Sequence, residues 1–377
     1  MTLGVTRRQI PTPLRAALVV ALLYLFLVAV SQLESGIKDL GSDIHDRLFE
    51  GVTNPLAGLF VGVLGTVLVQ SSSVTTSTIV GLVASGVVGV EAAVPMVMGA
   101  NIGTTVTNTL ISLGHVRRSE EFRRAFAGAT MHDFFNVLSV LALLPLEITT
   151  KFLSRGAEAV TRVFAGRAEL GGDFNSPIKG AVKAASGLVH DGLEAIVSSP
   201  VTLGVVGILI GLAGIYVALT FVTRNMRDLI AERIERSLNA SLSRSGLVGM
   251  AVGLIVTMAV QSSSITTSIL IPLIAAGILA LDNAYPITLG ANIGTTLTAL
   301  LAALGTGSVD ALTIAFAHTV FNVIGILIFF PVKPLRRIPV RLAVSLADIT
   351  ARNRTLVGVY VLGVFILLPI VGILILS

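Results

Sequence analysis

Two stretches of this chain, residues 55–90 and 246–281, are each 36 residues long and contain no Asp, Glu, Lys, Arg or His. A helix crosses the hydrocarbon of a bilayer in about 20 residues at 1.5 Å each, so such a tract is too long for one span and short for two. Near its middle each tract carries a polar run. Residues 70–77 read Gln-Ser-Ser-Ser-Val-Thr-Thr-Ser and residues 261–268 read Gln-Ser-Ser-Ser-Ile-Thr-Thr-Ser, 191 positions apart. At membrane depth, polar and irregular backbone is tolerated only where protein or a water-filled cavity surrounds it. We therefore read each tract as a re-entrant helical hairpin with its tip at Gln-Ser-Ser-Ser, with two full spans as the alternative.

A second duplicated motif comes after each tract. Gly-Ala-Asn-Ile-Gly-Thr-Thr occupies residues 99–105 and again 290–296, at the same separation of 191, and fourteen of the fifteen positions in the two motifs are identical. Asn and Gly followed by threonines suit a broken transmembrane helix whose freed backbone faces a cavity, expected over about 92–113 and 284–304. A further span comes next in each half, near 125–146 and 310–331, related through His132-Asp133-Phe134-Phe135-Asn136 and His318-Thr319-Val320-Phe321-Asn322 at a separation of 186. Simple spans are expected near 14–31, 201–222 and 356–376. With 54% hydrophobic and 12% charged residues and a mean hydropathy of +0.91, the whole chain reads as an all-α, polytopic membrane protein. Arg7, Arg8 and Arg15 precede the first apolar run without a small-residue cleavage pattern after it, so that run is a span and not a signal peptide. The chain has no cysteine, which excludes disulfides, thiolate metal sites and cysteine nucleophiles. Its excess of 26 basic over 21 acidic residues comes with no basic domain or nucleic-acid motif, so nucleic acid is not an expected partner.

The basic residues orient the chain. With a cytoplasmic N-terminus and both hairpins returning to their own side, segments 1–15, 115–124, 223–245 and 332–354 are inside and hold 18 of the 26 Lys and Arg residues. One repeat then starts from outside and the other from inside, which makes them inverted-topology repeats, an architecture of secondary transporters. The expected divisions are 1–54, a span and an interfacial helix over 32–54; 55–146, a first transport repeat; and 147–199, an extracytoplasmic amphipathic insert. Then come 200–245, a linking span and a cytoplasmic amphipathic helix; 246–331, a second transport repeat; and 332–377, a basic cytoplasmic loop and a final span. Ile178, Val182, Ala185, Val189, Leu193 and Ile196 mark the insert's apolar face; Met226, Leu229, Ile230, Ile234 and Leu238 mark the cytoplasmic helix, whose arginines face water or anionic lipid.

The duplicated clusters offer hydroxyls and amides but no fixed charge. Hydroxyl and carbonyl oxygens suit a small hard cation, while hydroxyl protons, amide N–H groups and helix N-termini suit an oxyanion. Bound together in low dielectric, anion and cation stabilise each other, which is a physical reason for coupling. A lone serine in a membrane helix usually bonds back to a carbonyl one turn earlier or packs helices. Duplicated sets such as Ser71, Ser72, Ser73, Thr75 and Thr76 with Ser262, Ser263, Ser264, Thr266 and Thr267 point to a binding site instead. Asp133 is the main carboxylate deep in a span, a functional position by default with cation coordination as its role. A proton relay through His132 and His318 would need more titratable groups than these spans contain, which favours sodium. Glu91 and Asp282 read as favourable charges at helix N-termini. An intramembrane hydrolase would need one nucleophile with His132 or His318 as base, against two matched serine clusters here; a passive channel would be told by unsaturable, sodium-independent uptake.

On these motifs, together with residues 120–147 and 284–304, the chain resembles the type II sodium-dependent phosphate cotransporters, the family of the renal and intestinal phosphate carriers, as a bacterial homologue. The resemblance implies a sodium-coupled symporter that imports inorganic phosphate by alternating access and is electrogenic; another oxyanion such as sulfate, arsenate or a carboxylate is the alternative cargo. Phosphate would lie between the hairpin tips, with Gln70, Ser71, Ser72, Ser73, Gln261, Ser262, Ser263 and Ser264 as ligands, to which we add Asn101 and Asn292. It further implies a sodium site at Gln261, Ser262, Thr295 and Thr298, and sodium contacts around Thr109, Asp133 and Asn136, to which we add Thr104. Asp133 matches the aspartate that marks charge-moving members. Ala291 stands where the family often has serine, and the chain is expected to end one span early and without long cytoplasmic tails. No catalytic residue and no cofactor beyond coupling sodium ions are expected. The partners are phosphate, sodium and the lipid bilayer, with a homodimer left open, and the location is the inner (cytoplasmic) membrane.

Overall fold

The computed structural model describes residues 11–41, 54–165, 178–241 and 245–376, with the backbone alone along 230–241. Its regular elements there are helices: α1 (Thr12–Asp39), α2 (Pro55–Val69), α3 (Ser72–Ala84), α4 (Val90–Gly103), α5 (Val106–Ser112), α6 (Ser119–Thr150), α7 (Phe152–Phe164) and α8 (Lys179–Glu194). They continue as α9 (Pro200–Ser241), α10 (Gly246–Val260), α11 (Ser263–Ala275), α12 (Leu281–Thr306), α13 (Val309–Phe329), α14 (Lys333–Arg352) and α15 (Thr355–Leu376), the last with a π-helical segment at Gly363–Leu367. Among the described residues six helices are long and apolar enough to cross a membrane: α1, α6, α9 over Pro200–Leu229, α12, α13 and α15. Leu141, Leu209, Ile255 and Leu374 lie more than half exposed on apolar helices, as side chains facing hydrocarbon do.

Each uncharged tract is two short helices joined at the polar run. Asn54 starts the first by accepting the Leu56 N–H on Oδ1 at 2.9 Å, with Pro55 at the first helical position. Small residues set the packing around these pairs. A Cβ on Gly103 would stand 2.6 Å from the Val63 carbonyl oxygen, and one on Gly294 2.6 Å from the Thr257 Cβ. Gly62 and Gly99 let α2 cross α4 with backbones touching, and Gly253 and Gly290 do the same for α10 and α12. Both pairs of contacts are related by the offset of 191. The linking helix α9 packs along α1, where Gly36 meets Gly204 and Gly207.

Four expectations change. The first motif does break its helix, at Thr104-Thr105 between α4 and α5, but α12 runs unbroken through the second. The threonine hydroxyls bond back to helix carbonyls in both copies, so they do not set the two apart. The residues just beyond each motif do: Val106-Thr107-Asn108-Thr109 are poor helix formers, whereas Leu297-Thr298-Ala299-Leu300-Leu301-Ala302-Ala303 are mostly strong ones. Asn108 also spends its side chain on Thr267, donating at 2.7 Å. Secondly, no separate interfacial helix starts at 32, because α1 continues to Asp39 with Gln32, Leu33, Glu34 and Ile37 buried; residues 42–53 lie outside the described ones.

Thirdly, the basic loop after α13 is the helix α14. Its buried Pro339, Ala343, Ala347 and Thr350 recur nearly every four residues, and it packs on α6 with Arg123 donating to Asp348 at 3.1 Å. Fourthly, the described residues of the insert contain two helices, α7 and α8. In α8 only Val182 of the expected apolar face is fully buried, and Ser186 meets Ser31 Oγ at 3.0 Å; Ile196 beyond its end stays 83% exposed. Met226 and Leu229 are half-buried, while the side chains of Ile230, Ile234 and Leu238 lie outside the described residues.

Candidate functional site: a cavity between two helix–turn–helix tips

Gln70 and Gln261 end their helices in the left-handed region, at φ 56° and 59°, a conformation uncommon for residues other than glycine. Each side-chain amide turns back on its own helix, Nε2 donating to Val67 O at 2.6 Å and to Met258 O at 2.5 Å. These bonds satisfy carbonyls that the last turn leaves open. The next residues, Ser71 and Ser262, are extended and cap the following helices, accepting the N–H of Val74 and of Ile265 on Oγ, each at 3.3 Å. The four-residue run thus closes one helix and opens another within two residues. It leaves the unpaired N–H groups of two helix N-termini at the tips, the ordinary equipment of an anion site.

The two tips share one cavity of about 600 Å³. Gln70, Ser71 and Ser73 line it from one tip and Gln261, Ser262 and Ser264 from the other. The tips also touch, Ser73 Oγ donating to the Gln261 carbonyl at 3.3 Å. Ser72 and Ser263, candidate ligands from sequence, are buried and outside the cavity lining. Oε1 of each glutamine accepts a threonine hydroxyl: Thr107 on Gln70 at 3.0 Å and Thr298 on Gln261 at 2.9 Å. Thr298 lies 3.5 Å from Ser73 Oγ as well. Thr107 is the residue that sequence reasoning missed, although it stands 191 positions before Thr298 and the offset alone would have found it. Thr295, one turn before Thr298, and Thr104 bond back to Ala291 O at 3.1 Å and Ala100 O at 2.9 Å.

The other expected cation position is a second place. Asp133, 1% exposed, accepts on Oδ2 from the Tyr360 hydroxyl at 2.7 Å and from Thr109 at 3.5 Å. Its Oδ1 is buried without a donor. A bare carboxylate oxygen in a membrane interior calls for a cation or a proton, and the neighbouring hydroxyls are hard oxygen ligands. Tyr360 comes from α15, outside both duplicated segments, and nothing in the duplication points to it.

Asn101 and Asn292 are not at the tips. They are the centre of a buried network that crosses between the two halves. His132 Nε2 bonds Asn292 Oδ1 at 2.5 Å, and His318 Nε2 bonds Asn101 Oδ1 at 3.0 Å. Asn292 donates to Asn136 Oδ1 at 2.8 Å, Asn136 to Asn101 O at 2.9 Å, and Asn101 to Asn322 Oδ1 at 3.3 Å. An amide oxygen only accepts, so Nε2 of each imidazole carries the proton in this arrangement. Both histidines are therefore occupied with asparagines and neither reaches a serine, which leaves a serine nucleophile without a base.

A helical membrane protein in which two matched polar turns meet at a shared cavity, over hydroxyl-rich helices with a buried carboxylate nearby, has the build of an ion-coupled transporter. The Na+/Pi-cotransporter family matches residues 25–161 and 215–347, and the chain belongs to that family. It is 34% identical over 438 aligned positions to "Sodium-dependent phosphate transport protein 2A" of Ovis aries, covering 96% of this chain and 68% of that protein. It is 35% identical to the protein of that name in Mus musculus, covering 94% of this chain and 67% of the relative. It is 32% identical to "Sodium-dependent phosphate transport protein 2B" of Homo sapiens, covering 94% and 64%. No solved structure matches the chain. The relatives are transporters, not enzymes.

Proposed function

We propose that this protein is a sodium-coupled symporter that brings inorganic phosphate across the cytoplasmic membrane by alternating access. The observation that carries this reading is the meeting of the two tips, with Ser73 bonded to the Gln261 carbonyl and Gln261 bonded in turn to Thr298 beside one cavity. In it, the tract pairs α2–α3 and α10–α11 are re-entrant hairpins belonging to inverted repeats over 55–146 and 246–331. Gln70, Ser71, Ser73, Gln261, Ser262 and Ser264 face phosphate, whose charge is met by their hydroxyls and by the N-termini of α3 and α11.

Sodium is held at Gln261 Oε1 and Thr298, with Thr295 and Ser262 close by in sequence. A second ion takes the bare oxygen of Asp133 with Thr109. A sodium ion beside Gln261 holds the second tip in shape and meets the phosphate charge across a short, low-dielectric gap, so each ligand raises the affinity for the other. Carrying more sodium charge than phosphate charge makes the cycle voltage-sensitive. The His132–Asn292 and His318–Asn101 bonds tie the halves together away from the tips.

The test is uptake of radiolabelled phosphate into proteoliposomes with and without an imposed sodium gradient, with sulfate and arsenate as competitors. Saturable uptake that needs sodium, falls to background in Gln70→Ala and Gln261→Ala, and resists excess sulfate is the expected result. Sodium-independent or unsaturable uptake would overturn the reading.

A further inference from the structure

The tips carry no fixed positive charge, yet the cavity they share is not without one. Its third wall is a single stripe of the linking helix α9, which includes Tyr216, Thr220, Thr223, Arg224 and Arg227. These residues recur at three- and four-residue spacing, the period of one helix face. From Tyr216 to Arg227 the stripe spans about 16 Å along the axis. Two of the arginines expected to face water or lipid from a cytoplasmic amphipathic helix, Arg224 and Arg227, therefore open onto the cavity.

The charged residues of this lining are Arg224, Arg227 and Asp228. Asp228 is engaged elsewhere, its Oδ2 lying 3.5 Å from Arg15 Nη1 of α1. Neither Arg224 nor Arg227 has a hydrogen bond or ion pair among the described residues. Two guanidinium groups without a partner among the described residues thus stand on one wall, about one turn apart on α9. A guanidinium presents paired N–H donors matched to the oxygens of a tetrahedral oxyanion, and with Asp228 facing Arg15 the two arginines leave this wall net positive.

We propose that Arg224 and Arg227 form a second oxyanion site at the mouth of the cavity, a waystation for phosphate between cytoplasm and tips. This rests on the transport reading above. Phosphate released from the neutral tip site passes to the arginine pair and then to bulk water, and the pair captures it in reverse transport. The same chemistry would also hold the phosphate of an anionic lipid headgroup, so the lipid has to be varied in the test.

The test uses the full chain in phosphatidylcholine vesicles, with inorganic phosphate as probe, and measures the half-saturating phosphate concentration separately from each face. Arg224→Gln, Arg227→Gln and the double variant are compared with Arg224→Lys and Arg227→Lys. In the double variant we expect the half-saturating concentration at the α9 face to rise about tenfold and its ionic-strength dependence to flatten, as the loss of two steering charges requires. From the opposite face it should change less than about twofold, and the lysine variants should fall between. Equal shifts from both faces, or no shift, would overturn the site. So would an effect that appears only when phosphatidylglycerol is added, which would assign the arginines to lipid. A parent protein without sodium-dependent uptake would instead remove the transport reading itself, and this site with it.

Discussion

Thr107 and Thr298 make the same bond in the two halves, and the same substitution should have unequal effects at the two positions. Replacing the hydroxyl by a methyl in Thr298→Val leaves Gln261 Oε1 without the donor it has at 2.9 Å, on a residue only 6% exposed. The change removes one oxygen from the proposed sodium shell, and withdrawing a buried polar partner from a charged group costs about 1–3 kcal/mol. Since about 1.4 kcal/mol is a factor of ten, the half-saturating sodium concentration for phosphate uptake should rise roughly 5- to 150-fold. Thr107→Val breaks a 3.0 Å bond to Gln70, which is exposed, so water takes the vacated position. There the shift should stay within about threefold. Thr298→Ser, which keeps the oxygen, is the control. The assay is phosphate uptake into proteoliposomes against a sodium titration. Equal shifts in the two valine variants, or no shift in Thr298→Val, would refute the argument that burial of the second tip makes it the sodium-binding one.

Asp133→Asn keeps an acceptor for Tyr360 but removes the charge, so phosphate-induced inward current should disappear while part of the sodium-dependent uptake remains; an unchanged current would make the carboxylate structural. His132→Ala and Asn292→Ala each break the 2.5 Å bond between them, so a double-mutant cycle read by thermal unfolding in detergent should show that their costs do not add, with a coupling of about 0.5–3 kcal/mol. Additive costs would mean that the contact contributes nothing. The chain lacks cysteine, so single cysteines at the exposed Glu194 and Arg337 report sidedness, with Glu194→Cys labelled from outside and Arg337→Cys from the cytoplasm. Labelling of both from one face would remove the inverted topology.

Much of the geometry of the candidate site was legible in the chain because its parts are local. Gln-Ser-Ser-Ser ends one helix and starts the next through bonds spanning three residues, from Gln70 to Val67 and from Val74 to Ser71, and such bonds go wherever the tetrapeptide goes. Its position in the middle of 36 uncharged residues was enough to place a turn between two short helices. Identical motifs do not build identical backbone when their C-terminal neighbours differ. Gly-Ala-Asn-Ile-Gly-Thr-Thr is interrupted before Val106-Thr107-Asn108 and continuous before Leu297-Thr298-Ala299, because helix propensity is summed over a window wider than the motif.

By itself, then, the sequence determined the membrane class, the duplication, the two turns and the polar groups that the turns present. Only the tertiary structure decided which of those groups meet. Asn101 and Asn292 share a motif with the tip-facing helices, yet they bond to histidines 217 and 160 positions away. The Asp133 hydroxyl partner Tyr360 is 227 positions distant, and Arg224 and Arg227 become cavity wall through packing of α9 beside the tips. Local bonds leave a trace in residue order and spacing, while contacts between distant helices depend on how closely the glycine faces of α2, α4, α10 and α12 let the backbones approach.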